Sequence, residues 1–405
     1  MMKKENKYVK ITVVGDVQVN RQKPEGAFRF VQNIFDESDF RFCQLESTIS
    51  DQGEVRPDIQ NPAHRVPPKM VKAFSKAKIN TVTMAGNNNL DYGPTALFDT
   101  INILKENHID AIGVGKNIDE ARQPHYYEIN GMKIAILNFC SILRTGFSAT
   151  NDKAGISPLQ VSTFYESLEN IYEQPGTPCK TITLANWEDL REACKLISFA
   201  KNNSDFVIAC FHWGVHFTND LAIYQPDVAY SAIDAGADVV IGTHPHCLQP
   251  IDIYKQKPIF YSLGNFIFDQ PEKEVNKNIK KYLKIYNLSP KSGADNYPHP
   301  KHCRDTMVLK LYLSKEKIIC KIIPAFIGGD GTPRVVDRNS VDGRRIFNLI
   351  QNLSDEYKTN LTDKGTYFLL EPQNKKEDSR VLIRERQMSY PWLYRLRVAE
   401  ELSKK

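Results

Sequence analysis

The sequence predicts an α/β protein in which two sheets pack into a sandwich, followed by a C-terminal extension. Three observations predict it. Short, apolar, β-rich runs alternate with amphipathic helical segments over residues 8–246. Those runs are apolar on nearly every residue, which is the mark of strands covered on both faces. After residue 250 the rhythm changes to strand–turn–strand pairs, which suggest a second sheet packed against the first.

The elements follow in order. Strands are expected at YVKITVVGDV, DFRFCQLES, NTVTMAGN, DAIGVG, KIAILNFCS, DFVIACFHWG and DVVIGTHPH. PTALFDTINILKEN opens with Pro94 at a helix N-terminus and carries apolar residues at helical spacing. WEDLREACKLISFAKNN repeats that spacing, and YQPDVAYSAIDAG ends on Gly236 as a C-terminal cap. IDIYKQKPIFYSLGNF reads as a hairpin, as does TMVLKLYLSKEKIICKIIPAFI with its turn at Ser314–Lys317. Between them, Gln270–His302 is rich in Lys, Asn and Pro and reads as a surface excursion. We expect one domain over residues 1–330, with an insertion at about 270–303. Residues 331–405 form a polar extension with a helix near Gly343–Leu353 and a basic tail.

Composition narrows the classes of function. A chain of 405 residues with 41% hydrophobic and 25% charged residues is ordinary for a globular protein. A net charge of +5, spread over both signs, does not argue for nucleic acid or membrane. No stretch reaches the roughly 18 apolar residues of a membrane helix, and the run from Tyr8 to Val14 is too short and polar for a secretory signal. A cytoplasmic location without a membrane anchor is expected. None of the eight cysteines forms a C-x-x-C pair, and several lie inside apolar strands, so they read as reduced, buried thiols.

The chemistry gathers where strands end. In open α/β sheets, ligands bind beyond the carboxyl ends of the strands. Here those ends carry Asp16, Glu46, Asn87, His212, His244 and His246. Each has a plain structural alternative, as a cap, a turn or a satisfied core polar group, but together they occupy matched settings. His244-Pro245-His246 is the most specific single signal. Two carboxylates, an amide and three imidazoles suit Mn, Fe or Zn better than Ca or Mg. The set exceeds the four ligands of one structural zinc and suffices for two divalent ions sharing a carboxylate. Such a pair would lower the pKa of a bridging water, so hydrolysis of a phosphoester is the expected reaction.

The motifs VVGDVQVNR, CQLESTIS, AGNNNLDYG, GVGKNIDEARQP, FHWGVHF and AGADVVIGTHPHCLQPIDIYKQKPIFYSLGNFIFD occur in this order over roughly residues 8–270. With them the chain resembles the CapA-type poly-gamma-glutamate (capsule) synthesis proteins, of the calcineurin-like metallophosphoesterase architecture. The resemblance implies an α/β/β/α sandwich with a binuclear metal centre at one edge, with Asp16, Glu46, Asn87, His212, His244 and His246 as ligands. Asn265 in SLGNF reads as a turn residue or as a substrate contact.

Two positions depart from the family. Its members usually follow the asparagine with histidine, but here Asn87 is followed by Asn88. Asn88 can orient a leaving group but not protonate it, a loss that typically lowers rate about 10²–10⁴-fold. His216 stands where many relatives carry an acid, and is a candidate for contact with metal or substrate. His64, Arg65 and Arg21 are candidates for an anionic substrate or else surface charges.

Three functions follow. The first is a binuclear-metal hydrolase acting on a phosphoester or related anionic bond. The second is a soluble factor that makes or cuts γ-glutamyl-type amides in a polymer or peptide. The third is a binding module weakened in catalysis by Asn88.

Overall fold

The computed structural model describes residues 8–59, 65–167, 179–269 and 299–373. Val9–Gln18 is the central strand of the first sheet. It pairs in parallel with Phe40–Leu45 and antiparallel with Asp305–Leu313. Beyond Phe40–Leu45 the sheet continues in parallel through Thr81–Thr83 to Asp110–Ile112. Beyond Asp305–Leu313 it continues antiparallel through Ile318–Ile327 to Phe368–Leu370. The second sheet is built on Phe206–His212, flanked in parallel by Met132–Cys140 and Val239–Thr243. Lys257–Phe260 runs parallel to Val239–Thr243. Ile251–Tyr254 and His125–Ile129 close the two ends antiparallel.

The late strands therefore do not form a sheet of their own. The 251–260 hairpin extends the second sheet, and the 305–327 hairpin extends the first. Asn265–Phe268 leaves the first hairpin and joins the first sheet, parallel to the end of Val9–Gln18. The parallel strands themselves divide into two sheets. A strand apolar on both faces still needs its edges paired, and the hairpins supply those pairings.

The period of two along each strand explains the layers. Val9, Ile11, Val13, Phe40 and Phe42 meet Ile134, Ile136, Ile208, Val239 and Ile241 in the core between the sheets. The opposite face of the first sheet, with Val14 and Cys43, packs on Phe74, Leu97 and Leu104 of the helices Val71–Lys76 and Gly93–Glu106. The outer face of the second sheet, with Leu137, Val207 and Ala209, packs on Ile197 and Val228 of Trp187–Asn202 and Tyr224–Asp234. The result is the α/β/β/α order. The Trp187–Asn202 helix starts where the Asn186 side chain accepts from Asp189 N at 3.0 Å. Gly236, at φ 118°, turns the chain after Tyr224–Asp234.

The extension is not merely appended. Val341–Asp355 is a helix capped by Ser340, whose Oγ accepts from Gly343 N at 2.9 Å. Its Ile346, Phe347 and Ile350 complete the core between the sheets. Each such side chain contributes about 1.5–3 kcal/mol through burial. The basic tail and most of the 270–303 excursion lie outside the described residues. Cys43, Cys140, Cys210, Cys247, Cys303 and Cys320 are buried thiols, and among the described residues no disulfide forms. No helix of the described residues is long and apolar enough to cross a membrane.

Candidate metal centre

The polar strand ends meet at one edge of the sandwich. Asp16 is placed by an irregularity in pairing: Val14 pairs with Cys43 and Asp16 with Gln44, so Gly15 is the extra residue. A Cβ on Gly15 would stand 1.9 Å from Gly264 O, so only glycine lets these two backbones touch. Asp16 N then donates to Gly264 O at 3.1 Å, and Asp16 pairs in register with Asn265. Glu46 follows its strand directly and is tied by its N–H to Val17 O at 3.0 Å. Asn87 and Asn88 sit on the turn after Thr81–Thr83, and His212 is the last residue of its strand. His244 and His246 both adopt left-handed backbone, at φ 97° and 61°. Two such residues around Pro245 store strain of the kind that collects at functional sites.

The side chains converge. His212 Nε2 lies 2.8 Å from Asn87 Oδ1 and 3.1 Å from His244 Nδ1. His212 Nδ1 faces Thr243 Oγ1 at 3.1 Å and Glu46 Oε1 at 3.4 Å. His246 Nδ1 lies 2.8 Å from Asn265 Oδ1 and 3.5 Å from Asp16 Oδ2. His244 N donates to Asp16 Oδ2 at 3.2 Å. Ligand atoms of Asp16, Glu46 and His212 all lie within 4.8 Å of one another.

The electrostatics fit a cation. Asp16 and Glu46 are buried, and their Oδ1 and Oε1 have no hydrogen-bond donor among the described residues. Burial, and then the charge of Asp16, hold the Glu46 carboxyl well above its ordinary range. Burial pushes His212 down to about 4. Burial first and neighbouring imidazoles second hold His244 and His216 well below the usual range. Neutral imidazoles are the form that ligates metal. Ligands about 2.0–2.2 Å from one ion lie about 3–3.5 Å apart, close to the separations here. Asp16, Glu46, Asn87, His212, His244 and His246 could therefore hold divalent metal, and a cation would relieve the carboxylates that burial leaves unpaired.

The other candidates fall in different places. Asn88 Nδ2 donates to Glu46 Oε2 at 3.1 Å, and its Oδ1 accepts from Asn87 Nδ2 at 2.9 Å, so it holds two of the candidate ligands. Asn89 is buried and donates to Leu45 O and Met84 O, closing the turn. The ring of His216 lies 4.1 Å from that of His244 and 5.0 Å from that of His246, after a turn at Gly214. Arg21 forks onto Asp269 at 2.7 and 2.6 Å and also donates to Thr332, so it is neither a surface charge nor a ligand-facing one. Arg65 donates to Gln52 O and Gly53 O and stacks on Tyr92. His64 lies outside the described residues.

Sequence reasoning missed His299. The excursion returns to the centre, where the His299 ring lies 4.5 Å from that of His246. The signal was present as His299-Pro300, a second His-Pro step like His244-Pro245. His302 adds a contact from the same segment, Nε2 to Phe217 O at 3.0 Å.

Residues 10–270 match the family model described as "Bacterial capsule synthesis protein PGA_cap". The chain is 31% identical to the capsule biosynthesis protein CapA of Bacillus anthracis over 277 residues, 66% of this chain and 61% of that one. It is 29% identical to the PGA biosynthesis protein CapA of Bacillus subtilis strain 168 over 266 residues, 64% of this chain and 62% of that one. The match thus spans about three fifths of the length of these relatives. Among solved structures, a hypothetical protein from Thermus thermophilus aligns over 81% of this chain and 96% of its own, at 13% identity and a TM-score of 0.40.

Proposed function

This chain belongs to the bacterial capsule synthesis protein family, and from that premise we propose that it is a metal-dependent hydrolase of a phosphoester or related anionic bond. One observation carries the reading: two buried carboxylates, each with an oxygen that lacks a donor among the described residues, stand among neutral imidazoles at a strand mouth. Structural carboxylates this deep are ordinarily paired. Asp16 and His246 would hold one divalent ion and Asn87, His212 and His244 a second, with Glu46, close to His212, available to either. Such a pair supplies an acidified water as nucleophile and charge neutralisation for both oxygens of an in-line displacement.

The protein's own residues do the rest. His212 Nδ1 is hydrogen-bonded to Thr243 Oγ1, so that nitrogen carries the proton and Nε2 is left as the ligand atom. Asn88 fixes the Glu46 carboxylate by donating to Oε2. It holds that carboxylate and gives no proton to a leaving group. Leaving groups that depart unaided are therefore the better substrates. His216, against His244 and His246, is the candidate to contact a substrate bound at the centre.

The test is metal analysis of the purified full chain, followed by turnover of an activated aryl phosphate. Two transition-metal ions per chain, and loss of both metal and turnover in Asp16→Ala, are expected. Unchanged turnover in Asp16→Ala would overturn the assignment.

A second reading is favoured by the names of the relatives, which are biosynthesis proteins of a capsule and of PGA. On that reading the same centre makes or cuts γ-glutamyl-type amides in a carboxylate-rich polymer. Product analysis of a γ-glutamate oligomer incubated with and without the protein separates the two. A change in oligomer length without phosphatase turnover selects the second.

A further inference from the structure

Asn265 is buried beside Asp16, its register partner across the parallel pair. Its amide has one accepting end and one donating end. The donating end, Nδ2, faces His299 Nδ1 at 2.9 Å. The accepting end, Oδ1, is turned the other way, 2.8 Å from His246 Nδ1. That same nitrogen is 3.5 Å from Asp16 Oδ2. Two acceptors, Asn265 Oδ1 and Asp16 Oδ2, thus crowd one ring nitrogen that can give at most one proton. The two separations bracket the roughly 3 Å edge expected between ligands of a single ion.

We infer that Asn265 Oδ1 is a further metal ligand, shared with Asp16 and His246, and that His299 is the positioning residue that keeps this oxygen turned toward the cation. The inference deepens the metal-dependent reading above and rests on it. An amide has no intrinsic reason to present oxygen rather than nitrogen. The two ends are the same size, and the choice is made by what each end meets. His299 meets the nitrogen end with a lone pair. The positioning residue His299 is remote from Asn265 in sequence, yet its ring stands 4.5 Å from that of His246. The neutral oxygen adds hard character to the Asp16 side, which favours Mn or Fe over a thiophilic ion.

The experiment is titration of the metal-free full chain with Mn²⁺, followed by electron paramagnetic resonance, so that turnover is not the readout. Wild type is expected to take up two ions. Asn265→Ala should bind one of them at least tenfold more weakly and leave the other unchanged. Asn265→Asp should retain both, because a carboxylate presents oxygen at either end. His299→Ala should weaken the same ion in the wild-type background and have no further effect in Asn265→Asp, where no amide remains to be turned. That rescue separates positioning from a general structural role. If Asn265→Ala does not fold, the two His299→Ala comparisons carry the test alone. Wild-type affinity for both ions in Asn265→Ala would sink the inference while leaving the hydrolase reading intact, as would equal weakening by His299→Ala in both backgrounds. No Mn²⁺ uptake by wild type would overturn both.

Discussion

The sandwich buries carboxylates at both ends of its parallel strands, Asp238 in the second sheet and Asp16 and Glu46 in the first, and the two sets are built on opposite plans. At the amino end, Asp238 is buried and fully matched. It accepts from Lys201 Nζ at 2.8 Å, Lys257 Nζ at 2.6 Å and Val207 N at 2.9 Å. At the carboxyl end, Asp16 and Glu46 are equally buried, yet no Lys or Arg among the described residues reaches them and one oxygen of each has no donor. Burial is therefore not what distinguishes a site from a structural cluster. What distinguishes it is whether the protein completes its own charge. Asp305 is intermediate: one oxygen engages Arg345 and the other has no hydrogen bond among the described residues.

The contrast can be broken by substitution, and the largest effect is expected at Glu46. Glu46→Gln should lower turnover of an aryl phosphate by more than about 10³-fold and release metal. In the metal-free protein it should leave the thermal midpoint equal or raised, since it removes one of two crowded carboxylates. A clear loss of metal-free stability would mean that Glu46 is completed by the protein after all. Next is Asn88→His, which should raise turnover of alkyl phosphates by about 10²–10⁴-fold. No gain in a metal-loaded but inactive protein would favour a binding module.

Asp238→Ala should do the converse of Glu46→Gln. It should cost about 3 kcal/mol in urea unfolding and leave metal affinity unchanged. The smallest effect belongs to Asp305. Burial, working against Arg345, raises its carboxyl from 3.8 to about 6. Between those values the folded protein keeps a proton that the unfolded chain has released, so stability falls as pH rises through that window. Within that window the fall should be at most about 1.4 kcal/mol per pH unit. Asp305→Asn should flatten it, as urea unfolding at pH 4, 5, 6 and 7 would show.

The same distinction explains what could be seen in the sequence. His212, His244 and His246 were legible because a strand of apolar residues that stops on an imidazole is a local pattern. The α/β alternation was legible for the same reason. The division of the parallel strands between two sheets was not, because edge pairing depends on hairpins far along the chain. Nor was the extra residue at Gly15, which exists to let Gly264 approach from the other end of the fold. Arg21 read as a possible surface charge because its partner Asp269 is remote. His299 was hidden by the composition of the excursion that precedes it: a polar stretch says nothing about where it returns. Local chemistry is written locally, and completion by distant groups is not.

The placement of Val9–Gln18 at the centre of its sheet has a consequence for biosynthesis. This strand is made long before Asp305–Leu313, yet one of its edges is covered only when that strand arrives. At about 5–20 residues per second, that is on the order of 15–60 s of translation. Through that interval the nascent chain carries an apolar strand with an open edge, the kind of surface that chaperones engage and that neighbouring polysomal chains can pair with. Slowing elongation before residue 305 should therefore lower the yield of native protein more than slowing it afterwards.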